Sequence, residues 1–107
     1  MQGVHLKFYV QENRRHHGIL AYEWLLEEAK KLGLHGGSAF RAIAGFGRHG
    51  QLHEEHFFEL AGDLSIEVGF ALGEEEAKGL LTHLAGEKLR LFYIKLPLEM
   101  GVVGGGP

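Results

Sequence analysis

Residues 44–56 read AGFGRHGQLHEEH, and they hold the residue types best suited to chemistry. His49, His53 and His56 follow one another at spacings of four and three. Neutral imidazole is a good ligand for zinc, copper or nickel. On a helix those spacings put all three rings on one side, and across a hairpin-like loop they can converge on one ion. Glu54 and Glu55 add oxygen ligands. The His-Glu-x-x-His pattern of zinc hydrolases is missing, so a divalent-metal site stands beside the plainer reading of a polar, solvated loop. The same run opens with Gly45-Phe46-Gly47 and then Arg48. Glycines leave room where a ligand or another backbone comes close. They equally let a twisted strand bend at a contact. No helix follows them, as a dinucleotide fingerprint requires, and no Gly-Lys-Ser/Thr is present for a Walker loop.

A second cluster, Arg14-Arg15-His16-His17, precedes the first helical pattern. A helix N-terminus favours anions, so a phosphate or carboxylate site is one reading and a solvated loop is the other. His5, His35 and His83 stand alone and are expected to be structural or exposed. There is no cysteine, which excludes disulfides, thiolate metal sites and cysteine nucleophiles. Ser38 and Ser65 fall in expected strands without a triad context. The carboxylates come in runs, so no acid–base pair stands out. The expectation is a protein that is not an enzyme.

The elements that must position these residues follow from periodicity. Val4, Leu6, Phe8 and Val10 alternate with more polar neighbours, the mark of a strand. Residues 13–18 read as a loop. Leu20, Ala21, Trp24, Leu25, Ala29 and Leu32 recur at helical spacing, with Lys30, Lys31 and Gly33 as a stop. Tyr22 and Trp24 lie off the Ala21–Leu25 line, either as interface anchors or as part of a broad packing face. Residues 38–47 form a second strand candidate, with Phe40, Ala42, Ala44 and Phe46 on one face. Alternation resumes from Phe58 to Leu72, with a bulge or turn at Gly62-Asp63. Glu74-Glu75-Glu76 opens a second helix, Ala77, Leu80, Leu81 and Leu84 give its apolar stripe, and Gly86 ends it.

Residues 89–98 read as a last strand that is apolar on both faces. The order β-α-β-β-α-β predicts an α+β, ferredoxin-like fold: a four-stranded antiparallel sheet with two helices on one face. A doubly apolar last strand then calls for another subunit to cover the open face.

The totals agree with this frame. A chain of 107 residues is one domain, large enough to bury a core without staples. We take residues 1–100 as that domain and 101–107, GVVGGGP, as a flexible Gly-rich tail. The net charge of −3 argues against a nucleic-acid partner. The first residues lack a secretory pattern, and no apolar run approaches the ~18 residues of a membrane helix. A cytoplasmic protein without membrane insertion is expected.

The stretch GLHGGSAFRAIAGFGRHG (33–50) resembles the segment of nitrogen regulatory P-II proteins in which a glycine-rich helix exit leads into a strand ending in GFGR. Glu12, the Gly-Ile-Leu-Ala-Tyr at 18–22 and Asp63-Leu64-Ser65-Ile66-Glu67-Val68 are closer to a short P-II-like relative, the uncharacterised domain-of-unknown-function family 190. The resemblance covers about residues 3–100. It implies a homotrimer with sheets facing inward and ligand clefts between subunits. In P-II proteins those clefts take adenine nucleotides, and a mobile loop engages a partner, here plausibly a membrane transporter or channel. Carried over residue by residue, the ligand set is Gly45, Gly47, Arg48 and His49 at the strand end. Lys88, in Gly86-Glu87-Lys88, stands for the phosphate loop. Two departures matter: Glu87 would repel a phosphate beside it, and the mobile loop shrinks to about 48–56. The resemblance implies a signalling protein for a small anionic ligand; the histidine loop gives the alternative, a metal-binding protein.

Overall fold

The computed structural model describes residues 1–46, 52–53 and 64–104. Strand β1 (Gln2–Gln11) is the centre of the molecule. It pairs antiparallel with β7 (Ser65–Leu72) on one side and with β8 (Phe92–Glu99) on the other. The edge strand β4 (Ser38–Arg41) pairs antiparallel with β7, giving the order β4-β7-β1-β8. Two short ribbons complete the strands: β2 (Arg15–His16) with β3 (Ile19–Leu20), and β5 (Gly45–Phe46) with β6 (Leu52–His53). Helices α1 (Ala21–Lys31) and α2 (Glu74–Ala85) cover one face of the sheet. This is the ferredoxin-like arrangement that the element order predicts.

Period-two patterning sets which face is buried. Val4, Leu6, Phe8 and Val10 of β1 and Ile66, Val68, Phe70 and Leu72 of β7 are all at most 5% exposed. They meet Ala21, Trp24, Leu25 and Ala29 of α1 and Ala77, Leu80 and Leu84 of α2. Burying side chains of this size contributes about 1.5–3 kcal/mol each, which makes this face the source of stability. Trp24 is buried and Tyr22 is partly buried against the same cluster. The helix therefore packs broadly, and Trp24 is no interface anchor.

The two helices are joined by a carboxylate. Glu28 of α1 accepts a hydrogen bond from His83 of α2 at 2.9 Å and pairs with Lys31 at 3.1 Å. At α2 the N-cap is Gly73, whose N–H donates to Glu76 Oε1 at 2.9 Å. Gly33, at φ +83°, closes α1 as expected of a glycine stop.

The opposite face of the sheet carries no covering element among the described residues. The register β1–β8 puts Phe92, Ile94 and Leu96 opposite Tyr9, Lys7 and His5 on that face. All three apolar side chains are exposed, and Phe40 on the far edge is 64% exposed. Between them runs a polar row in which Tyr9 donates to Glu67 at 2.9 Å and Lys7 lies 3.9 Å from the same carboxylate. Burial first, and then Glu67, push the Tyr9 phenol above its ordinary value.

Three boundaries differ from the sequence reading. The strand expected over 38–47 ends at Arg41, where its partner β7 begins; Ala42 N–H makes the last bond, to Ser65 C=O. Gly45 and Phe46 belong instead to a separate ribbon with β6. The last strand starts at Phe92, because Leu89 and Leu91 pack against the core before the chain enters the sheet. The loop expected over 13–18 is in part a hairpin, β2–β3. The bulge expected at Gly62-Asp63 lies outside the described residues.

Candidate functional site

The β2–β3 hairpin turns through His17 and Gly18, at φ +52° and +82°. Positive φ at both central residues is the pattern of a type I′ turn, whose twist matches the flanking strands. Glycine adopts it freely and histidine is among the side chains that tolerate it. The turn has a chemical result. Consecutive strand residues point to opposite faces, yet both imidazoles reach one acceptor. His16 Nε2 lies 3.0 Å and His17 Nε2 2.9 Å from the same oxygen, Glu87 Oε1. Glu87 arrives from the connection between α2 and β8, 70 residues on in sequence.

The cluster is anchored from both ends. The His16 ring stands edge-on to Trp24, with centroids 4.4 Å apart at 76°, and its side chain is only 10% exposed. Arg14 Nη1 donates to Arg90 C=O at 2.8 Å, tying the hairpin to the same connection. Arg15 Nη1 donates to Gly18 C=O at 3.2 Å inside the turn. Arg14 C=O accepts the N–H of Ala21, the first residue of α1, at 2.8 Å. That bond satisfies a helix-end donor where Leu20 offers no side-chain cap. The basic cluster thus faces backbone carbonyls and a carboxylate of its own chain. The imidazole bonds, His16 first and then His17, hold the Glu87 carboxyl below its usual range.

Of the ligand residues implied by resemblance, Gly45 opens β5, and no atom of the described residues lies within 4 Å of where its Cβ would stand. Gly47, Arg48 and His49 lie outside the described residues. Lys88 is exposed just past α2, next in sequence to Glu87. For the metal set expected from sequence, the backbone of His53 lies in β6, and His49 and His56 fall outside the described residues. Among the described residues, His16, His17 and Glu87 are the group whose ligand atoms gather, all within 4.8 Å of one another. Sequence reasoning placed His16 and His17 in a loop and Glu87 in a phosphate loop, and did not pair them. The one local signal was His17-Gly18, an X-Gly turn dipeptide between two short extended stretches.

A shallow depression of about 410 Å³ lies on the open face beside β4, lined by residues that include His5, His35, Phe40 and Glu67. Gly69 makes room there, since a Cβ at that position would stand 2.9 Å from His5 Nε2. No helix of the described residues is long and apolar enough to cross a membrane.

Known proteins share this architecture. A solved structure of CPII from Thiomonas intermedia K12, bound to ADP and bicarbonate, superposes with a TM-score of 0.68 at 19% identity, covering 95% of this chain and 91% of that one. A putative PII-like signaling protein from Thermus thermophilus gives a TM-score of 0.60 at 18% identity, over 91% of this chain and 87% of that one. At such identities the likeness establishes a P-II-like fold. In sequence, a UPF0166 protein of Aquifex aeolicus (strain VF5) is 34% identical over 82 residues, 77% of this chain and 78% of its own length. The DUF190 model, described as Uncharacterized ACR, COG1993, matches residues 3–88. The chain therefore belongs to the DUF190 family.

Proposed function

We propose that this chain is a non-enzymatic, cytoplasmic regulator of the P-II-like kind. In this reading it assembles as a homotrimer and binds a small anionic ligand, an adenine nucleotide, in the clefts between subunits. The bound state acts on a partner protein, a membrane transporter or channel. The observation that carries the reading is the open sheet face. Phe40 on one edge strand and Phe92, Ile94 and Leu96 on the other are exposed around a partly buried polar row, and apolar side chains so arranged call for a second protein surface.

Two further observations support the ligand. Gly45 is exposed, and no atom of the described residues lies within 4 Å of where its Cβ would stand, which leaves room for a group from outside the chain. A protein of the same fold, CPII of Thiomonas intermedia K12, has been solved bound to ADP and bicarbonate. In this site Gly45 and Gly47 let backbone N–H groups approach, while Arg48, His49 and Lys88 supply positive charge to phosphate. Glu87 opposes that charge less than its sequence position suggests, because its carboxylate is directed at His16 and His17.

Titration calorimetry with ATP, ADP, AMP and cyclic AMP, each with and without bicarbonate, tests the ligand; light scattering tests the assembly. The expected result is a mass of three chains and saturable binding of at least one nucleotide. Arg48→Ala and Lys88→Ala should each weaken that binding by about tenfold or more, as loss of a charge-assisted bond does. No heat with any nucleotide overturns the ligand, and a monomeric mass overturns the inter-subunit cleft.

A further inference from the structure

We propose that His16, His17 and Glu87 form a binding site for a divalent transition-metal ion of the zinc class, held by the two Nε2 atoms and the Glu87 carboxylate. The site uses none of the histidines of residues 49–56 and does not depend on the nucleotide reading.

The first ground is convergence. Both Nε2 atoms point at a single oxygen, at 3.0 and 2.9 Å. Zinc–nitrogen and zinc–oxygen bonds near 2.0–2.2 Å place tetrahedral ligand atoms roughly 3.3 Å apart. Each histidine–carboxylate separation thus needs to open by only a few tenths of an ångström to admit an ion, and the two Nε2 atoms, within 4.8 Å of one another, need to come to a similar separation. The donors suit the metal too: two imidazoles and one carboxylate are a recurrent three-ligand zinc set that leaves a fourth position for water or an anion. Imidazole selects zinc, copper and nickel over the hard cations, which prefer all-oxygen shells.

The second ground is construction. A single histidine–glutamate bond would tie the hairpin to the α2–β8 connection, a task Arg14 already shares through Arg90 C=O. Here a second ring is brought to the same oxygen by a non-glycine residue at φ +52°. The type I′ turn sets that φ, and histidine is among the side chains that tolerate it. Trp24 fixes the His16 ring from below. Arg15 directs a guanidinium N–H to Gly18 C=O, away from the carboxylate. His17 is 66% exposed and gives the ion a path from solvent.

The test uses the full chain purified without a polyhistidine tag, stripped with chelator and titrated with ZnCl2, CuCl2 and NiCl2. One zinc ion per chain is expected. His16→Gln, His17→Asn and Glu87→Gln should each lower zinc affinity by about tenfold or more; Asn is chosen at position 17 because it tolerates the turn. A loop variant carrying His53→Ala and His56→Ala should bind zinc as the wild type does. On the wild type itself, zinc should shift the imidazole NMR resonances of His16 and His17 and leave those of His83 in place, a readout that no folding defect can mimic. The proposal is overturned if none of the three metals binds, if the loop variant abolishes binding, or if zinc binds without moving the His16 and His17 resonances.

Discussion

Glu28 shows how much one side chain can hold together. Its carboxylate is 13% exposed and takes a hydrogen bond from His83 on the other helix and an ion pair from Lys31 on its own. The His83 bond, followed by the Lys31 bond, holds its carboxyl below the ordinary carboxylate value. A depressed folded-state value has a definite sign: the stabilisation is complete above the unfolded value and is lost as pH falls through the folded one. Glu28→Gln should therefore lower stability by about 0.5–1 kcal/mol near neutral pH. The gap between variant and wild type should narrow as pH falls through the depressed folded-state value and the Glu28 carboxyl takes up its proton. Urea unfolding of both proteins at about pH 6 and pH 3 checks it, and a gap that stays constant would mean that the ionised carboxylate is not the cause. Trp24, also a single residue, spans two roles, core packing against α1's neighbours and a wall for His16. Periodicity alone left it between the core and an interface, since at three residues from Ala21 it lies on the edge of the apolar stripe.

At the scale of elements, the β2–β3 hairpin is the piece that joins the first half of the chain to the second. Its Gly18 sits at φ +82°, with no atom of the described residues within 4 Å of where a Cβ would stand. Gly18→Ala meets no clash there, only the left-handed backbone, and should cost about 1–2 kcal/mol. Thermal or urea unfolding measures this, and an unchanged midpoint would mean the turn readily adopts another form. The long elements were legible in the sequence for a simple reason. Where one face is buried, period two or period 3.6 is enforced residue by residue, as in Val4 to Val10 or Ala77 to Leu84. The hairpin was not, because two-residue strands are too short to show a period. The His16–His17–Glu87 cluster was not either, because Glu87 is 70 residues from His17 and only the fold brings them together. The strand after Gly37 was read too long for a related cause: alternation continues past Arg41, but the partner strand that would pair with it does not.

At the scale of the whole molecule, the sheet's two faces differ in kind. The helix-covered face is closed and apolar, while the open face pairs exposed Phe92, Ile94 and Leu96 with a row containing Lys7, Tyr9 and Glu67. A monomer would leave those three β8 side chains in water, whereas the proposed homotrimer buries them against a neighbour. Ile94 is the most informative position. It sits in mid-strand opposite Lys7 on the open face and is 36% exposed, so it is not needed to fill the core. Ile94→Glu would place a carboxylate in each copy of a shared interface, and burying unpaired charge there is strongly unfavourable. The expected outcome is a shift to monomer in light scattering at a protein concentration where the wild type is assembled. The far-UV circular dichroism should be retained, because the core face is untouched. A variant that remains assembled would show that this face is not the contact, whatever else binds it. If dissociation also removed nucleotide binding but left zinc affinity unchanged, the two sites would be separated by their dependence on assembly: one between chains, the other within each.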